Sequence, residues 1–161
     1  MRDLRTIAKA AEEARRAEPM AKDPSFAALR KARIGTPALV KTPEEEDAYW
    51  IVPFIVGKKA CGFAFVETTL NVSRLGTFGA GPRDQASWID ASFFERPPPE
   101  ILSDIKSRYS DMRMSAPIFS YDKTPSKWAW MIKLRDKREL TIFVTPAGWY
   151  EQTAKKEDFE G

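Results

Sequence analysis

Trp50-Ile51-Val52-Pro53-Phe54-Ile55-Val56, then a turn at Gly57-Lys58-Lys59 and a run ending in Phe65-Val66, returns as Trp128-Ala129-Trp130-Met131-Ile132-Lys133-Leu134, a turn around Asp136-Lys137 and a run ending in Phe143-Val144. The copies stand about 78 residues apart, and a recurrence that keeps its order of strand and turn marks one supersecondary unit present twice.

Side chains alternate along a strand, so Trp50, Val52, Phe54 and Val56 share one face of the first copy, and Tyr49, Ile51, Pro53 and Ile55 the other. Both faces are apolar. One is expected under a helix; the other is expected to meet the second half of the chain or a partner, including a homodimer formed through Tyr49, Ile51 and Ile55. Pro53 has no amide donor, which predicts an edge position or a bulge for its strand. In the second copy Trp128, Trp130, Ile132 and Leu134 form a heavily apolar face, while Ala129, Met131, Lys133 and Arg135 read as a partly wet one. Short strands are predicted at Pro37 to Lys41 and Pro117 to Tyr121, return strands at Ala60 to Thr68 and Glu139 to Thr145, and a last strand from Trp149.

Helices precede both sheets. Leu4, Ile7, Ala8, Ala11 and Ala14 recur at helical spacing, with Glu12 and Arg16 placed as a favourable pair, but the alanine-rich face predicts a loosely held helix. Asp23 and Pro24 start a second helix that buries Phe26 and Leu29 and exits at Gly35. A third follows Pro97-Pro98-Pro99 and presents Ile101, Leu102, Ile105, Tyr109 and Met112. Gly76, Gly79, Gly81 and Pro82 mark a boundary. The stretch from Trp88 to Phe94 reads as a strand or a short helical turn whose aromatic side chains plug the junction. The fold class is therefore α+β, with two repeats, each a helix on an antiparallel meander of three to four strands. Residues 1–80 hold the first repeat and an extra N-terminal helix; residues 81–161 hold a connecting segment and the second. The tail from Ala154 to Gly161 is charged and expected to fray.

Composition narrows the chemistry. A chain of 161 residues buries enough surface to fold without disulfides, and its single cysteine, Cys61, reads as a small packed side chain. With no histidine, Ser-His-Asp and Cys-His nucleophiles, His-ligated zinc and imidazole proton shuttles are excluded. The 26 basic and 23 acidic residues leave a net charge of +3, without a basic arm. Neither a signal peptide nor a run of about 20 apolar residues is legible, so no membrane span is expected, and a cytoplasmic location is the default.

The tryptophan-led strands Trp50-Ile51-Val52 and Trp128-Ala129-Trp130, with Phe143-Val144-Thr145-Pro146-Ala147-Gly148 as closing strand and turn, resemble PepSY-type modules, helix-on-sheet units close to cystatin-like folds. The likeness spans residues 20 to 75 and 97 to 153. It departs from the family where Thr145 and Pro146 replace the usual closing turn and where Glu67-Thr68-Thr69-Leu70-Asn71 has no glycine. The resemblance implies a non-catalytic binding or interaction module, with a protein or peptide as partner.

The candidate binding residues are the basic hairpin tips, Lys58 and Lys59 in one copy and Lys137 and Arg138 in the other. Such tips suit phosphates or an acidic protein surface, which makes nucleic-acid binding one alternative; the other explanation is that lysines guard strand edges against pairing. A second alternative is a small enzyme using Asp90 or Asp104 with Tyr49 or Tyr109 in the helix-sheet cleft, which needs a carboxylate of raised pKa. Glu44-Glu45-Glu46-Asp47 reads as a solvated turn because adjacent carboxylates lack the spacing of a calcium loop, and Gly76-Thr77-Phe78-Gly79-Ala80-Gly81 lacks the lysine of a phosphate loop. No cofactor, metal or catalytic residue is assigned.

Overall fold

The computed structural model describes residues 3–17, 27–78 and 87–152. Asp3 accepts the Arg5 amide at 3.1 Å and so starts α1 (Leu4–Arg16), which buries Ile7 and Ala11. The helix is held by more than its thin apolar face. The Arg15 guanidinium donates at 2.8 Å to Leu29 O and also to Ala32 O, takes up Glu12, and stands 5.4 Å over the Phe54 ring. Glu12 also pairs with Arg16 at 2.9 Å, as the spacing predicts. α2 (Ala27–Lys31) buries Leu29; Asp23, Pro24 and Phe26 lie outside the described residues.

The chain then enters β1 (Arg33–Ile34), β2 (Ala38–Lys41), β3 (Asp47–Val56), β4 (Lys59–Glu67) and β5 (Val72–Thr77), followed by β6 (Ile89–Asp90) and a 3-10 turn (Ala91–Phe94). After α3 (Pro99–Arg108) come β7 (Arg113–Met114), β8 (Ile118–Tyr121), β9 (Trp128–Arg135), β10 (Glu139–Thr145) and β11 (Gly148–Glu151). The fold is α+β with two antiparallel sheets. In the first, β3 pairs with both β1 and β2 on one side and β4 on the other, and β4 carries β5 and β6. In the second, β9 pairs with both β7 and β8 on one side and β10 on the other, and β10 carries β11. The two connectivities match except for β6, which has no counterpart in the second sheet among the described residues.

Register corrects one detail of the repeat. Trp50 lies opposite Leu39 and Val66, and Trp130 lies opposite Phe119 and Val144. Trp130, rather than Trp128, is thus the counterpart of Trp50, a slip of one alternation that leaves the face unchanged. Pro53 is also not on an edge, because β3 is flanked on both sides. Its carbonyl accepts the Gly35 amide at 2.8 Å, so its donor-less side faces the gap between β1 and β2 where no ladder bond is lost. Gly35 itself is not a helix exit. A Cβ there would come within 2.6 Å of Ile55 Cδ1 and 2.8 Å of Pro53 Cγ, so the close crossing needs glycine. Gly76 belongs to β5 opposite Phe63, not to a linker; Gly79, Gly81 and Pro82 lie outside the described residues, as does the tail beyond Gln152. Since Ile89 and Asp90 pair with Ala60 and Lys59, the segment following residue 81 still contributes to the first sheet.

The helix-bearing face of the first sheet packs Val52, Phe54, Ala64 and Val66 with Ile7, Ala11 and Leu29. Cys61 is part of this cluster; its thiol contacts Phe54 O at 3.4 Å, and burial pushes its pKa up, which fits an inert packed side chain. The opposite face of that sheet shares one core with α3 and the second sheet: Tyr49, Ile51 and Phe65 with Ile105, Ile132, Leu134 and Val144. Tyr49, Ile51 and Ile55 are 8 %, 0 % and 6 % exposed, so the face expected to receive a homodimer partner is closed by the chain itself. Phe93 and Phe94 of the 3-10 turn plug the junction, with ring contacts to Trp128 and Phe119. The supposedly wet face of β9 is dry at its centre, where Ala129 and Met131 are buried with Phe143.

Candidate functional site

β2 and β8, equivalent strands of the two repeats, run beside each other. The loops that follow them reach across in opposite directions. Glu45, in the loop after β2, meets Lys133 of the second sheet at 3.3 Å, and the carbonyl of Pro125, in the loop after β8, takes the hydroxyl of Tyr49 in the first. The acidic stretch from Glu44 is therefore an exposed turn with a structural contact across the seam. No helix among the described residues is long and apolar enough to cross a membrane.

Along this seam lies a cleft of about 480 Å³, with Leu39 from β2 and its counterpart Phe119 from β8 in its walls. Pro37 and Pro117, Ala38 and Ile118, Phe94 and Trp130 complete the apolar lining. The Trp130 indole is fixed by donating to Phe93 O at 2.7 Å, and its ring lies 4.9 Å from Phe119, so the cleft has a rigid aromatic floor. Lys41 and Glu95 stand at the rim; Lys41 is 3.9 Å from Asp47, and Glu95 is 3.7 Å from Arg96.

A second cavity of about 340 Å³ shares Thr36 and Glu95 with the first and is bordered by Arg33, Lys58, Asp90 and Ser92. The Arg33 guanidinium donates to Gly57 O at 3.2 Å. Asp90 caps the 3-10 turn, accepting the Ser92 amide at 2.9 Å and its hydroxyl at 2.8 Å, and those bonds hold its pKa below the usual carboxylate range, with Lys59 and Arg96 adding to the effect.

The four basic residues read from the sequence sit on equivalent hairpins and are exposed, but Lys58 alone among them borders one of the described cavities. Lys59 lies opposite Asp90, and Lys137 and Arg138 occupy a tight turn in which the Arg138 amide donates to Asp136 Oδ1 at 2.8 Å.

The candidate carboxylates and tyrosines are each hydrogen-bonded to other groups. Asp104 accepts the Trp149 indole at 2.9 Å, Tyr109 donates to Glu151 at 3.2 Å, and Arg108 covers the Trp149 ring, a set of contacts that fastens α3 to β11. Tyr49 is buried at the Pro125 contact, where desolvation raises its pKa, and Asp90 is lowered rather than raised.

The cleft itself escaped the sequence reading. A signal was present: Arg33-Ile34-Gly35-Thr36-Pro37 and Arg113-Met114-Ser115-Ala116-Pro117 repeat arginine and proline at matching places, which would have joined β2 to β8 as equivalents. Compared with family models, curated proteins and solved structures, the chain matches none of them.

Proposed function

We propose that the chain is a non-catalytic binding module whose ligand seats in the seam between β2 and β8. The observation that carries this reading is the cleft of about 480 Å³, whose walls come from equivalent strands of both repeats. Its volume, aromatic lining and few charged rim groups suit a ligand site. The PepSY-like resemblance of the tryptophan-led strands points the same way, toward recognition of a protein or peptide. Lys59, Lys137 and Arg138 then serve as solvated hairpin tips that discourage edge pairing.

Titration with small apolar fragments, followed by amide chemical shifts, tests the reading. The expected changes concentrate at Thr36, Leu39 and the Trp130 indole N–H, and Leu39→Asp removes them. Shifts centred on the outer side of β5 or β11, unaffected by Leu39→Asp, would rule out the seam.

A further inference from the structure

Resting on the seam reading, we propose that the occupant is an extended peptide that seats an apolar side chain between Leu39, Phe119 and Trp130 and carries an acidic side chain to Arg33 and Lys58. The two cavities share Thr36 and Glu95, so they adjoin at these residues, with an aromatic cavity on one side and a polar one on the other. A compact ligand fills one end. A chain in extended conformation, whose side chains recur at fixed intervals, occupies both.

Charge selects the acidic anchor. Both carboxylates bordering the polar end already have partners: Asp90 accepts the Ser92 amide and hydroxyl, with the charges of Lys59 and Arg96 nearby, and Glu95 is 3.7 Å from Arg96. The cations of that end are less committed. Arg33 donates to a neutral carbonyl, and Lys58 makes no ion pair among the described residues. The polar end thus offers two positive groups to an incoming carboxylate. Glu95 and the Thr36 hydroxyl stand at the waist, where they can take the peptide's backbone amides. Pro37 and Pro117 supply no amide hydrogens, so specificity rests on side-chain anchors in place of an added strand.

Fluorescence anisotropy with labelled hexapeptides provides the test, using Leu or Phe as the apolar anchor and Glu or Lys two residues later. The wild-type chain is expected to bind the Glu peptides about tenfold more tightly than the Lys peptides. Lys58→Glu, an exposed turn substitution, should invert that order, and Thr36→Trp, which fills the waist, should weaken both. Equal affinity for Glu and Lys peptides, still lost with Thr36→Trp, would overturn the acidic anchor while leaving the seam reading in place. Fragment binding at the seam with no peptide binding at all would overturn the peptide. Peptide binding indifferent to both variants would overturn the seam reading as well. Tighter binding of a single-stranded oligonucleotide than of any peptide, lost in Lys58→Glu, would replace the peptide with nucleic acid.

Discussion

In the first repeat the Gly35 amide donates to Pro53 O at 2.8 Å, and at the equivalent place in the second the Ser115 amide donates to Lys133 O at 2.9 Å. Lys133 has an amide hydrogen of its own, and Ser115 Oγ accepts it at 3.0 Å. Pro53 has none, and the residue facing it is a glycine with no hydroxyl to leave unpaired. Each pair closes the same gap between a short strand and its continuation, and each balances donors against acceptors in its own way. Equivalent backbone geometry survives divergent sequence when the hydrogen-bond inventory at each position remains complete.

The largest test of the comparison is Trp130→Ala. It removes core packing and the bond to Phe93 and should cost about 3–5 kcal/mol in chemical denaturation. Its counterpart Trp50→Ala should cost less, because Trp50, likewise partly buried at the edge of its cluster, makes no indole hydrogen bond among the described residues like that of Trp130 to Phe93. A larger loss at Trp50 would break the assignment of the shared core to the second sheet.

α1 has no counterpart in the second repeat among the described residues, and Arg15 is its anchor. Arg15→Ala strips two backbone carbonyls of a charged donor and should destabilise by about 1.5–3 kcal/mol, with faster amide exchange in α1 as the local readout.

Gly35→Ser imports the second repeat's residue into the first. The Cβ clash with Ile55 and Pro53 should cost about 1–3 kcal/mol. Adding Pro53→Lys supplies the amide that the new hydroxyl accepts, so the double variant should recover part of the loss. A double-mutant cycle with zero coupling would show that the two pairs are not exchangeable.

A smaller effect separates the closing strands. Arg74 and Tyr150 occupy matching places, opposite Phe65 and Phe143, but only the second repeat puts a tyrosine there. Desolvation, then its 2.5 Å bond to the Asp122 carboxylate, pushes its pKa up to about 12. A raised tyrosine pKa favours the neutral folded form. Its contribution is complete below the ordinary tyrosine value of about 10 and is lost as pH rises toward 12. Wild type should therefore lose stability across that window more steeply than Tyr150→Phe in alkaline melts. Smallest of all, Lys137→Ala and Arg138→Ala should each change stability by less than about 0.5 kcal/mol, consistent with exposed turn positions.

What sequence reading recovered follows from which interactions are local. The alternation around Trp50 and Trp130, the helix after the proline run, and the pairing of Glu12 with Arg16 depend on periodicities of one element, and the structure places them as expected, except that the helix ends at Arg108, so Tyr109 and Met112 follow it. The interior position of Pro53 was not legible, since it depends on a gap between two other strands. Nor was the burial of Ala129 and Met131, whose alternation with Lys133 and Arg135 looks amphipathic until neighbouring strands are laid beside them. The candidate site was the least legible part. Lys58 was found by charge, but Leu39 and Phe119 are ordinary strand residues until β2 meets β8.

By itself, the sequence determined the fold class and a strand-and-turn pattern that occurs twice, because hydrophobic period and turn residues act over a few neighbouring positions. Only the tertiary structure decided that the second face of the first sheet is closed by the chain's own other half, and that a cleft remains along the seam. Those outcomes depend on how two surfaces distant in sequence fit together, and side-chain pattern within either surface does not encode that fit.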